Sequence, residues 1–99
     1  MFDKAKKLWD LQAKARKLQA ELKEMEFTGE ELGGKVKVVL SGEQKVISIE
    51  IDDSLMSIEE KEGLIKFLGQ AFSSAVKKSQ QAAANKTKEV MGGLGIPGL

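Results

Sequence analysis

The spacing of apolar residues changes twice along this chain, and those changes constrain its architecture more than any other feature. Leu8, Leu11, Ala15, Leu18, Leu22 and Met25 recur at alternating steps of three and four. That spacing keeps side chains on one helix face and forms the seam of a coiled coil or helix pair. Phe2, Ala5 and Trp9 make a second, shorter stripe. With Ala, Leu, Lys, Gln and Glu dominant and no Gly or Pro, residues 3–25 are predicted to be helical. The period then becomes two. Val36, Val38 and Leu40 mark one half-buried strand, and Ile47, Ile49 and Ile51 mark the next. Ser41-Gly42-Glu43-Gln44 joins them as a hairpin loop, with Gly42 available for a left-handed turn position. Glu26-Phe27-Thr28 supplies a short edge strand ahead of a bend at Gly29…Gly33-Gly34.

From residue 57 the helical period returns. Ser57 and Glu60 fit a capping box, and Ile65, Leu68, Phe72, Val76 and Ser79 trace one face of a helix that runs to about Met91. Gly63 and Gly69 lie inside it, either to allow close packing or to mark a bend. After Val76 the large apolar residues give way to Lys, Ser, Gln, Ala and Asn, so this half is expected to project. Gly92-Gly93 can end the helix, leaving residues 92–99 as a flexible Gly/Pro-rich tail. The expected fold class is α+β: one domain over residues 1–91, ordered α-β-β-β-α, with a small antiparallel sheet flanked by two long helices. At ~1.5 Å per residue the helices span roughly 35 and 50 Å. A sheet of short strands is about 20 Å long, so the helix ends must overhang it.

Several functions are excluded by composition. The 99 residues contain no Cys, His or Tyr, which removes disulfides, thiolate metal sites, the commonest general base and the phenol. No apolar run approaches the ~20 residues of a membrane span, and a cytoplasmic protein is expected. Gly29 to Lys35 satisfies G-x-x-x-x-G-K, but Val36 follows where a phosphate-binding loop needs Ser or Thr, and a strand follows instead of a helix. Gly93 to Gly98 spells G-x-G-x-x-G without a preceding strand or a following helix. Asp52-Asp53 and Glu59-Glu60-Glu62 read as a strand-end turn and the acidic first turn of a helix. Asn85-Lys86-Thr87 matches a glycosylation acceptor with no meaning on a cytosolic helix. No enzyme activity, cofactor, metal or small-molecule substrate is expected.

The net charge of +1 conceals a strong segregation. Residues 1–23 hold seven basic against three acidic side chains, residues 24–76 five against eleven, and residues 77–99 four against one. Both basic clusters fall on the helix portions expected to overhang. A polyanion is the natural partner. The candidate contacts are Lys4, Lys6, Lys7, Lys14, Arg16 and Lys17 on the first helix and Lys77, Lys78, Lys86 and Lys88 on the second. With few groups placed to reach base edges, they favour phosphate contacts over base readout.

The chain also resembles the YbaB/EbfC family of bacterial nucleoid-associated proteins over nearly its whole length. The resemblance is carried by Lys17-Leu18-Gln19-Ala20-Glu21-Leu22 leading to Thr28-Gly29, by Gly33-Gly34-Lys35-Val36-Lys37-Val38, and by Gly42. It continues through Ile49-Glu50-Ile51-Asp52, Ser54-Leu55, Ala71-Phe72 and Ala75, and ends in the tail from Met91 to Leu99. Asp53 departs from it, standing where the family commonly has proline. The resemblance implies a tweezer-like homodimer whose helical arms bind duplex DNA in the nucleoid, with a role in chromosome organisation or gene expression. The residues alone leave two alternatives open. One is a prefoldin-like or adaptor protein-interaction module; the other is RNA in place of DNA.

Overall fold

The computed structural model describes residues 2–93. It is an α+β fold with two long helices and one three-stranded sheet: α1 (Phe2–Glu24), β1 (Glu26–Glu31), β2 (Val36–Ser41), β3 (Val46–Ile51) and α2 (Lys61–Gly93). Short 3-10 turns at Leu32–Gly34 and Asp53–Leu55 complete it. The strands pair antiparallel in the order β1-β2-β3. The described chain measures 67 × 23 × 17 Å, the elongated outline expected when helices overhang a small sheet. The tail expected at 92–99 lies mostly outside the described residues; α2 runs through Gly92 to Gly93 instead of ending at about Met91.

The register explains the core. Val38 pairs with Gly29 on one side and Ile49 on the other, and Val36 pairs with Glu31 and Ile51. Val36, Val38 and Leu40 are buried with Leu55, Ala71 and Ala75, and Phe67, Leu68, Phe72 and Val76 close around them. Small residues at steps of four on α2 let the helix backbone approach the sheet. Ala71, Ala75 and Ser79 are fully buried, and the Ser79 hydroxyl is satisfied by donating to the Val76 carbonyl at 2.9 Å. Gly29 is the sheet's half of this contact. It lies within β1, not in a bend, and a Cβ there would overlap the Ala71 carbonyl.

The hairpin departs from expectation in the same way. Gly42 does not occupy a left-handed position; Gln44 does, at φ 65°. The Ser41 hydroxyl makes this tolerable by accepting from the Glu43 and Lys45 N–H groups, both at 3.2 Å. Gly42 is required for proximity instead. Its N–H donates to the Leu22 carbonyl at 2.9 Å, and a Cβ would overlap that carbonyl. A register shift between Val39 and Leu40 opposes Leu40 to Val46 in β3. The bend after β1 is made by Leu32, Gly33 and Gly34, all at positive φ.

Two expectations for α2 are corrected. The helix begins at Lys61, because Ser57–Glu60 forms a separate turn in which Glu60 N–H donates to the Ser57 hydroxyl at 3.3 Å. Gly63 and Gly69 neither permit close packing nor bend the helix. A Cβ at either would meet nothing, and α2 is continuous across both. Ahead of that turn, the Asp52 carboxylate accepts from Ser54 N–H at 2.9 Å. Hydrogen bonding from the Ser54 side chain and then from its backbone N–H, with the Lys35 charge as a lesser cause, holds the Asp52 carboxyl below its ordinary pKa.

Candidate nucleic-acid interface

α2 covers β1 and β2 and then continues past the sheet alongside α1. The two helices run antiparallel there. Lys86 and Glu21 form an ion pair at 3.2 Å, and Glu89 and Val90 lie across a groove from Lys14, Lys17 and Leu18. This pairing uses the middle of α1, so its first turns extend beyond α2. Asp3 through Asp10 are all exposed, including Leu8 at 59% and Trp9 at 72%. Of the α1 seam, Leu22 is buried and Leu11, Leu18 and Met25 are half-buried, while Leu8 and Ala15 are exposed.

The ten sequence-nominated cations fall into three groups along this shaft. Lys4, Lys6 and Lys7 occupy the α1 tip and are exposed. Lys14, Lys17 and Lys86 border the α1–α2 pairing, with Arg16 on the outward face of α1 and Lys88 exposed on α2. Of these, Lys14 and Lys17 line one open groove of about 270 Å³, and Lys17 and Lys86 line another of about 640 Å³. Lys77 and Lys78 sit nearest the sheet. Lys77 is exposed, whereas Lys78 Nζ donates to the Thr28 carbonyl at 2.7 Å and fastens α2 to β1. Lys86 is likewise committed to Glu21, with its side chain only 29% exposed. The remaining nominated cations make no ion pair among the described residues.

The acidic residues gather at the other end. Glu26, Glu30, Glu43, Glu50, Asp52, Asp53, Glu59, Glu60 and Glu62 are exposed on the strands, their turns and the start of α2. The sheet end therefore carries an excess of negative charge and the helical shaft an excess of positive charge. Lys23, which the sequence alone did not single out, is exposed and continues the outward row of α1 seven residues beyond Arg16; its heptad spacing was the available signal. Among the described residues, no group of three acidic side chains is placed to hold a metal ion. No described helix is long and apolar enough to cross a membrane.

The chain is similar to known proteins over most of its length. Two nucleoid-associated proteins from strains of Rhodopseudomonas palustris are each 40% identical to the chain over 87 residues, covering 88% of it and 82% of the relative. The crystal structure of an uncharacterized protein from Helicobacter pylori superimposes with a TM-score of 0.80 at 25% identity, covering 92% of this chain and 97% of the other. The family model described as the YbaB/EbfC DNA-binding family matches residues 1–94. With helix, three strands and helix all inside that match, the chain belongs to the YbaB/EbfC family.

Proposed function

We infer that the protein is a nucleoid-associated protein that binds duplex DNA as a homodimer, mainly through phosphates and with limited sequence specificity. The observation that carries this reading is the division of charge: a cationic helical shaft projecting from an acidic sheet. Lys4, Lys6, Lys7, Arg16, Lys17, Lys77 and Lys88 supply the phosphate contacts. Lys78 and Lys86 contribute mainly by fastening α2 to β1 and to α1, and half-buried Lys14 adds to the potential of the groove. The family description and the names of the relatives support DNA as the partner and the nucleoid as the place. The role that follows is chromosome organisation or regulation of gene expression.

The dimer reading rests on β3. It is an edge strand, and an unpaired edge is a template for another strand. Val46, Ile47 and Ile49 are about half exposed on it, and Ile58, just ahead of α2, and Ile65, in its first turns, are exposed at 89% and 61%. A monomer gains nothing from that apolar surface; a second copy with the same surface buries both. The prefoldin-like alternative draws some support from Leu8 and Trp9 at the α1 tip, but the lysines around them suit a polyanion better than an unfolded chain.

The test is binding to random duplex DNA over a range of salt, alongside the mass of free and bound protein. Affinity should fall log-linearly with salt, at about −0.9 per phosphate neutralised. Affinity that stays flat from low to physiological salt would overturn the reading, as would aggregation suppression without DNA binding.

A further inference from the structure

We propose that the outward face of α1 around Trp9 is a base-stacking site through which the arm holds single-stranded nucleic acid. The proposal rests on the nucleic-acid reading above but adds a ligand that phosphate contacts alone do not select.

Trp9 is the only Trp in the chain, and it is 72% exposed. Phe67 and Phe72, by contrast, pack against the core. Leu11, Ala15, Leu18 and Leu22 lie on the far side of the helix and Leu8 about 100° away, so Trp9 stands apart from the core packing of the described residues. Its neighbours at helical spacing are Ala5, Lys6, Gln12, Ala13 and Arg16. Two alanines leave the indole faces open. Lys6 and Arg16 put a cation about one turn to one side of it and two turns to the other. Asp10, though adjacent in sequence, is rotated about 100° away. A shallow niche of about 50 Å³ lined by Trp9, Gln12, Ala13 and Arg16 lies beside the ring. It is too small to enclose a base, so a base would lie over the indole.

The chemistry of this set is specific. An indole offers a flat π surface on which any base can stack, while flanking cations hold the phosphates on either side. A duplex keeps its base faces occupied by each other, so the indole finds free π surface only where bases are unpaired. A docked protein helix is a poorer fit. Its apolar contacts would be limited to the short row of Phe2, Ala5, Trp9 and Ala13, with Lys6 and Arg16 beside it.

Because the chain has one Trp and no Tyr, its emission reports on this site alone. The full-length protein is titrated with oligo-dT, oligo-U and a duplex of equal length, reading emission and anisotropy together. Quenching should track single-strand binding, and Trp9→Ala should lose about 5- to 100-fold in single-strand affinity, with duplex affinity changed less than about twofold. Trp9→Phe should retain most of it. Stronger quenching by oligo-U than by oligo-dT identifies RNA as the source, and the reverse identifies DNA. Equal single-strand binding by Trp9→Ala and the parent overturns the proposal while leaving duplex binding standing. So does an indole already blue-shifted and shielded from iodide in the free protein, which would place a second copy over it. Emission that responds to anionic lipid vesicles and not to oligonucleotides also overturns it. Binding to neither duplex nor single strand overturns this proposal and the DNA-binding reading together.

Discussion

Two glycines decide where the helices dock. Gly29 lets the backbone of α2 touch β1 at Ala71, and Gly42 lets the C-terminal end of α1 touch the β2–β3 hairpin at Leu22. Each stands at a backbone-to-backbone contact, where no side chain can swing aside to make room for a methyl group. Gly29→Ala should therefore destabilise by about 2–3 kcal/mol, the cost of overpacking a tight contact, read as a fall in the denaturation midpoint. Gly69 is the internal control. It sits exposed in the middle of α2 with open space where a Cβ would go, so Gly69→Ala should stabilise by about 0.5–1 kcal/mol. Stabilisation at both positions would show that glycine's backbone freedom in the unfolded chain, and not proximity, governs both. The lysines divide on similar grounds. Lys78 and Lys86 look interchangeable with Lys77 in the sequence. Their partners Thr28 and Glu21 lie 50 and 65 residues away, which no local pattern discloses.

At the scale of elements, periodicity carries the helices, the strands and their order, because each pattern spans enough residues to fix a period. It does not carry contacts. Gly29 and Gly42 read as turn residues because a close backbone approach leaves no trace in spacing. The start of α2 reads as Ser57 because the cap is present; the turn it caps precedes the helix proper. Alternation in β3 announces an apolar face without saying what covers it, and in this chain Ile51 reaches the core while Val46, Ile47 and Ile49 stay exposed. That gap motivates the dimer surface. Ile49 lies on the face of β3 that continues the core beyond Val38, yet it is 45% exposed. Ile49→Asp should convert a dimer to a folded monomer, measured as halved mass in solution with an unchanged circular-dichroism spectrum. An unchanged mass would move the interface away from β3.

The whole molecule is a long body with opposite charge at its two ends, and this decides how net charge should be interpreted. If DNA responded only to overall charge, three lysines removed anywhere would be equivalent. If phosphates meet the shaft, position matters. Lys4, Lys6 and Lys7 sit exposed at the α1 tip, beyond the reach of α2, while Lys35, Lys45 and Lys61 are exposed on the sheet side among carboxylates. Replacing either trio with Gln lowers the charge by the same amount. The tip variant should weaken duplex binding and flatten its salt dependence by about 0.9 for each phosphate left without its lysine. A dimer carries every lysine twice, so the slope can change by as much as about five. The sheet-side variant should keep the parent slope, with any fall in affinity limited to a small change in long-range attraction that salt screens. Equal slopes for the two variants would mean that DNA does not distinguish the ends, and the shaft would lose its claim to be the binding surface.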